Sequence, residues 1–433
     1  MRFAFAILVA LAACGGTEDD DAITPDAAPT MLEPTANPDR EVIDTKLQID
    51  VTALAGKATI TFGPSSDGAS LEVGDLMISS VTLDGEALPF AVTSQRLDLA
   101  LRASTAPRTV EIAFAYKQHE MFNGSSMRGF TFVWPYFCGN LFPCHSSPTD
   151  GTTFTLDVQG VPAGKTAIYP PTIPADAPAY QIAWSIDAYV ETPLGTTTAG
   201  TQVSVWHRTA EATTAMNGTQ NLVAAFDWLE KTIGPYRFGP KAGTVSVAWP
   251  QGAYGGMEHH PRWHVDDNSL GSQTTNVHEA AHGWFGDGIR IKCWEDFVLS
   301  EGTVTYLAAR ALDVVAPTVG AQTWTNYTNE LGGIPGTSPV WPQSCGTIDI
   351  LKDNLYTNAP YIRGAFFYKG VADKVGAARL DEALAGFYQA HAGGSAGMAD
   401  MLQTIKDVTG YDPTACAQTW LRATTRPTPG PCP

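Results

Sequence analysis

His278-Glu279-Ala280-Ala281-His282 is followed by Gly283-Trp284-Phe285-Gly286 and, with 18 residues between it and His282, by Glu301-Gly302; no other part of the chain constrains the fold as tightly. On a helix, positions i and i+4 lie one above the other, so two imidazoles at that spacing can reach one metal ion. Glu279, between them, stands beside the position left for water. Glu301 ends the run Trp294-Glu295-Asp296-Phe297-Val298-Leu299-Ser300-Glu301. There Ser300 reads as an N-cap and Glu301 as a first-turn residue of a second helix. Two His and one carboxylate leave a fourth position open, the pattern of a catalytic rather than a closed structural site. The motif therefore nominates His278, His282 and Glu301 as ligands of one Zn2+ per chain, with Glu279 as general base.

Outward from this motif, helical spacing dominates everything after about residue 208. Leu222, Ala225, Phe226 and Leu229 mark a helix over 221–233. Further helices are expected over 274–286, 300–314, 361–375, 378–391 and 398–408, with a short strand over 245–249. Before that boundary, alternation with period two takes over. Segments 45–51, 58–62, 76–83, 153–158 and 202–206 read as strands, and Asp84-Gly85 as a hairpin turn. The expected fold class is α+β and multidomain. An all-β, sandwich-like domain would occupy 40–207 and a mainly helical domain 208–433.

The N-terminus reads as an address rather than as structure. Arg2 and the apolar run 3–13 resemble an export signal, too short to span a bilayer. Leu11-Ala12-Ala13-Cys14 resembles a bacterial lipobox, which makes 1–13 a lipoprotein signal peptide and Cys14 the lipid-attachment site. Gly15 after that Cys points to the outer membrane or cell surface. Residues 14–39, acidic and rich in Thr, Pro and Ala, read as a flexible tether. The seven cysteines then divide into Cys14 and six others, an even number that suggests disulfides in an exported protein. Several pairings are open. Proximity favours Cys138–Cys144 and Cys416–Cys432, which leaves Cys293 with Cys345. Lys and Arg total 26 against 44 Asp and Glu, a formal charge of −18. That balance excludes nucleic acid as partner and polybasic docking on anionic lipid. Membrane contact would come through the N-terminal lipid anchor alone.

With the motif in place, the chain resembles zinc aminopeptidases of the aminopeptidase N type, which are gluzincins. Tyr254-Gly255-Gly256-Met257-Glu258-His259 is similar to the family's G-x-M-E-N segment. Tyr361-Ile362-Arg363-Gly364-Ala365 is similar to its Y-x-K-G-A segment. Phe142-Pro143-Cys144 with Pro148, and Gly234-Pro235-Tyr236-Arg237-Phe238, resemble further stretches, so that the likeness runs from about 45 to 425 in the family's order. The long C-terminal helical domain of larger members has no counterpart. The resemblance implies a thermolysin-like catalytic domain that hydrolyses peptide bonds with zinc-activated water and releases N-terminal residues. It implies that Tyr361 stabilises the oxyanion, that Glu258 anchors the free α-amino group, and that Gly255, Gly256 and Met257 let backbone approach the peptide. A peptide substrate is the implied partner.

Several positions depart from the family. Ser146 and Ser147 stand where two acids are usual, Asp287 replaces Asn, Arg363 replaces Lys and His259 replaces Asn. Trp134 takes the place of a second amine-contacting Glu or Gln. Trp134, Phe132 or Tyr136 would then shape a different first pocket. His259, His260 and His264 have no ligand spacing and stay outside the metal set. Two alternative readings accompany the aminopeptidase: a gluzincin of altered or endopeptidase-like specificity, and a catalytically silent surface-binding lipoprotein.

Overall fold

The structure, a computed structural model, describes residues 32–250 and 254–433. The signal over 1–13, the lipid site at Cys14 and most of the tether lie outside the described residues.

The N-terminal domain is built on a sheet of β1 (Val42–Asp50), β2 (Ala55–Phe62), β3 (Met77–Leu83), β4 (Arg108–Ala115), β5 (Thr152–Gln159) and β6 (Thr172–Ala177). Its order is β6-β5-β1-β2-β4-β3, with the short strand Glu86–Ala87 at the edge. β1 and β5 run parallel and the other pairs antiparallel. Alternation buries Leu47, Ile49, Ile60, Val110 and Ile112, which join Leu71, Leu97 and Leu99 of a second, three-stranded sheet in one core. Asp84 and Gly85 both have positive φ, at 54° and 85°, as a two-residue hairpin turn requires.

The packed body begins inside the segment expected to be a tether. Thr35 bridges Leu99, and the Asn37 backbone N–H donates to Ser70 Oγ at 2.9 Å. Arg40 is fully buried and donates to the carbonyls of Gly63, Ser66, Gly68 and Arg102. These polar side chains satisfy loop backbone instead of facing water, which composition alone does not distinguish.

The domain boundary also moves. β7 (Tyr189–Thr196) and β8 (Gln202–Arg208) belong to the second domain's sheet, with β9 (Lys241–Val247), β10 (Gly256–Met257) and β11 (Arg262–Asp266), in the order β7-β8-β9-β11-β10. β8 pairs parallel with β9, and the crossover carries α1 (Ala212–Gly218) and α2 (Leu222–Thr232). A parallel pair needs such a crossover, so β8 forms one unit with α1, α2 and β9. The boundary lies near residue 188, not 207.

Six longer helices follow, α3 (Gln273–Ala281), α4 (Phe297–Val315), α5 (Pro317–Gly333), α6 (Asn358–Val375), α7 (Ala377–His391) and α8 (Met398–Thr409), and a short helical segment, Thr414–Ala417 running into Gln418–Arg422, ends the domain. Ser272 caps α3, accepting from Thr275 N–H at 3.1 Å. α4 starts at Phe297, so Ser300 is not its N-cap and Glu301 sits in its second turn. Ser300 Oγ lies instead 3.4 Å from His282 Nδ1. Pro317 opens α5, a helix whose sparse apolar pattern hides it from periodicity. No described helix is long and apolar enough to cross a membrane.

Two glycines set the crossing of α4 and α6. A Cβ at Gly302 would lie 2.8 Å from Gly364 Cα, and one at Gly364 would lie 2.5 Å from Gly302 Cα. No other residue allows that approach. Gly302 adjoins Glu301 and Gly364 lies one turn beyond Tyr361, so this contact brings those two side chains to one place.

Among the described residues three disulfides form, Cys138–Cys144, Cys293–Cys345 and Cys416–Cys432.

Candidate active site and metal centre

α3 carries His278 and His282 on one face, and α4 brings Glu301 against them. The three donor atoms form a near-equilateral triangle. His278 Nε2 lies 3.3 Å from His282 Nε2, and Glu301 Oε2 lies 3.1 Å and 3.4 Å from the two nitrogens. Bonds of about 2.0–2.1 Å to a tetrahedral zinc put its ligand atoms about 3.3 Å apart. The donors therefore fit one face of a zinc tetrahedron, and their nitrogen and carboxylate chemistry fits that ion.

The imidazoles are held in the orientation a metal needs. His282 Nδ1 donates to the Phe285 carbonyl at 3.0 Å, which turns Nε2 toward the triangle. Thr305 Oγ1 stands 3.5 Å from His278 Nδ1. Gly286, at φ 102°, turns the chain after α3; a Cβ there would lie 2.7 Å from His282 Nδ1. Burial lowers the His278 pKa. Burial pushes the Glu301 carboxyl up, but the charge on His282 and hydrogen bonds from both imidazoles outweigh it and hold Glu301 low.

Glu279 projects from the same helix into a cavity of about 600 Å³ whose lining includes all three donors. Burial, reinforced by the charges of Glu258 and Glu301, raises its carboxyl well above the usual range. β10 is the edge strand that passes over it. The backbone of Gly256 comes so close that a Cβ there would lie 2.3 Å from Glu279 Oε1. Glu258 comes directly after β10, buried, and its carboxylate, that of Glu279 and His282 offer atoms within 4.8 Å of one another. Gly255, Gly256, Met257 and Tyr361 line the same cavity. Tyr361 stacks on His278 with ring centroids 5.9 Å apart, and burial keeps its hydroxyl well above the ordinary titration range.

Trp134 lies beside Glu258 and closes this end of the cavity. Its ring is 4.8 Å from Tyr356, and Tyr356 is 5.1 Å from Tyr254, so three aromatics form one wall. Phe132 sits behind Tyr254, stacked at 5.0 Å. Tyr136 is turned away and donates to Asp349. Behind Glu258, the Tyr180 hydroxyl donates to Asp287 at 3.2 Å, and both residues are buried.

His259, His260 and His264 are fully buried and outside the triangle. Burial pushes His259 and His260 down to about 3, so neither carries charge. His260 has a positioning role that spacing does not reveal. Its Nε2–H donates to the backbone carbonyl of Glu279 at 2.8 Å, and its Nδ1 accepts from the Tyr236 hydroxyl at 2.8 Å. α5, which periodicity does not reveal, forms the far wall through Thr323, Asn326, Tyr327 and Glu330, one face at helical spacing.

Residues 221–420 match the Peptidase family M1 domain. The chain is 25% identical over 154 residues to an aminopeptidase N of Streptomyces lividans, covering 34% of this chain and 18% of that one. It is 27% identical over 192 residues to a leucine aminopeptidase 2 of Neosartorya fischeri, covering 41% and 30%. These matches span less than a third of the length of either relative. The fold matches a mutant M1 zinc metallopeptidase from Deinococcus radiodurans bound to a Tyr-Ser-Ala substrate, with a TM-score of 0.78 and 18% identity over 90% of this chain and 96% of that one.

Proposed function

We propose that this chain, which carries an M1 peptidase domain over residues 221–420, is a zinc-dependent peptidase that releases residues from the amino end of peptides. The observation that carries the reading is convergence: the donor triangle, Glu279, Tyr361 and Glu258 face one cavity. Zinc held by His278, His282 and Glu301 would supply Lewis acidity, acidifying a water and polarising the scissile carbonyl.

The remaining work belongs to the chain's own groups. Glu279 takes the proton of the attacking water and returns it to the leaving amine. The Tyr361 hydroxyl, kept protonated by burial, donates to the oxyanion as it forms. Glu258 pairs with the substrate's α-ammonium at the closed end of the cleft, so that one residue fits between it and the reacting carbon. Trp134, in place of the second amine-contacting Glu or Gln that the family resemblance implies, leaves Glu258 as the main anionic contact and gives the first side chain an aromatic wall with Tyr254 and Tyr356.

The test is hydrolysis of amino-acyl amides and of N-blocked peptides by purified protein, with and without chelator. Chelation should abolish turnover and zinc restore it. Glu279→Gln should abolish turnover while zinc stays bound. Glu258→Ala should cost free-amine substrates about 10²-fold and N-blocked peptides less than about threefold, as loss of a charge-assisted pair predicts. Cleavage of internal bonds only would move the assignment to an endopeptidase; zinc binding without any cleavage would sink the peptidase reading.

We further infer an exported lipoprotein, anchored through Cys14 at the outer membrane or cell surface. The Leu11-Ala12-Ala13-Cys14 motif supports this, as do three disulfides, which persist in oxidising compartments. Metabolic labelling with palmitate should mark the wild type and not Cys14→Ser; equal labelling would reject the anchor.

A further inference from the structure

The cleft has two unlike ends. At one it narrows to a void of about 10 Å³ bounded by Trp134 and Glu258. At the other it shares Glu330, Thr357 and Asn358 with a second cavity of about 620 Å³. The donor triangle lies between. A peptide anchored by its amine at Glu258 can then run past the face of α5 toward the second cavity, which shares that wall. An extended chain advances about 3.3–3.6 Å per residue, so the first residues after the cleaved bond occupy this path.

Glu330 stands at the junction of the two cavities, on the exposed end of the α5 face. Among the described residues it is the one charged group lining the second cavity, and no Lys or Arg lines either. Its neighbours raise the carboxyl from its ordinary value by partial desolvation, and a cation beside it would offset that cost. Resting on the peptidase reading above, we propose that Glu330 is a specificity residue that selects a basic side chain in the first residues downstream of the cleaved bond. The substrate class is then a peptide with a free amine and a nearby Lys or Arg.

The experiment measures leucine release by mass spectrometry from Leu-Xaa-Ala-Ala and Leu-Ala-Xaa-Ala amides, with Xaa as Lys, Gln or Glu. Wild type should prefer Lys to Glu by about five- to tenfold in kcat/KM at one of the two positions, the range of a solvent-accessible ion pair plus the avoided like-charge contact. Glu330→Gln should reduce the ratio to about 1–2, and Glu330→Lys should invert it. A wild-type ratio near 1 at both positions, or a ratio unchanged in both variants, overturns the proposal while leucine release itself leaves the peptidase reading standing. No release from any peptide overturns both.

Discussion

Gly256→Ala tests the site with one methyl group. The added carbon would lie 2.3 Å from Glu279 Oε1, 2.5 Å from Cδ and 2.6 Å from Cγ. Contacts of that kind settle beyond about 3.3 Å, so the carboxylate must retreat by about 1 Å. The fold need not yield, because Glu279 is a side chain that can swing. It cannot swing and keep its place as a base. A displacement of about 1 Å costs about 10²-fold, and a positioned general base supplies about 10²–10⁴-fold in all. The expected loss in kcat/KM on an amino-acyl amide is therefore about 10²-fold, about 2.7 kcal/mol of transition-state stabilisation. Gly255→Ala is the matched control: its Cβ would meet Ser269 Oγ and Thr275 Cγ2 at 3.7 Å, an ordinary contact. Metal analysis and thermal melts accompany the kinetics; both variants should hold one zinc and melt within about 2 °C of wild type. The reasoning is refuted if Gly256→Ala keeps more than a third of wild-type activity, or loses no more than Gly255→Ala.

Tyr361→Phe should lower kcat about 10²-fold with KM nearly unchanged, since an oxyanion donor acts only in the transition state; a rise in KM alone would assign it to substrate binding. Cys293→Ser with Cys345→Ser removes a bridge that spans 52 residues, whose chain-entropy contribution is about 4 kcal/mol. The melting temperature should fall accordingly, and a loss under about 1 kcal/mol would contradict that figure. His145 contributes a pH dependence. Burial alone would lower its pKa, but hydrogen bonds to Asp150 and the Ser70 carbonyl outweigh burial and raise it. A raised folded-state pKa adds stability that is complete below the unfolded value of about 6.5 and lost as pH rises through the folded value. Thermal stability should fall by about 1–2 °C from pH 6 to 8, and Asp150→Asn should flatten the slope; an unchanged slope would clear this pair.

Much of the site was legible because its chemistry is local. His278 and His282 share a helix face by spacing alone, and Glu279 lies between them on the same turns. Strand alternation and the Asp84-Gly85 turn are equally local signals. Elements that depend on partners were misplaced or missed. β7 and β8 look like any strands of the first domain until β9 pairs with β8 across a helical crossover. Ser300 looks like a cap until α4 is seen to begin at Phe297. α5 has too few apolar residues for periodicity to detect, because one face lines a cleft rather than a core.

The His278–His282 helix spacing with Glu279 between them, the α+β division and the even count of six cysteines after Cys14 are properties of the chain as written. Side-chain identity and helical or strand period carry them without reference to distant residues. Which remote segments meet is settled only by packing. Packing placed Glu301 and Tyr361 together through the Gly302–Gly364 crossing, set Gly256 against Glu279, gave His260 its grip on α3, and closed the cleft at Glu258 while opening it at Glu330. Those contacts join elements far apart in sequence, and each depends on the whole fold being in place.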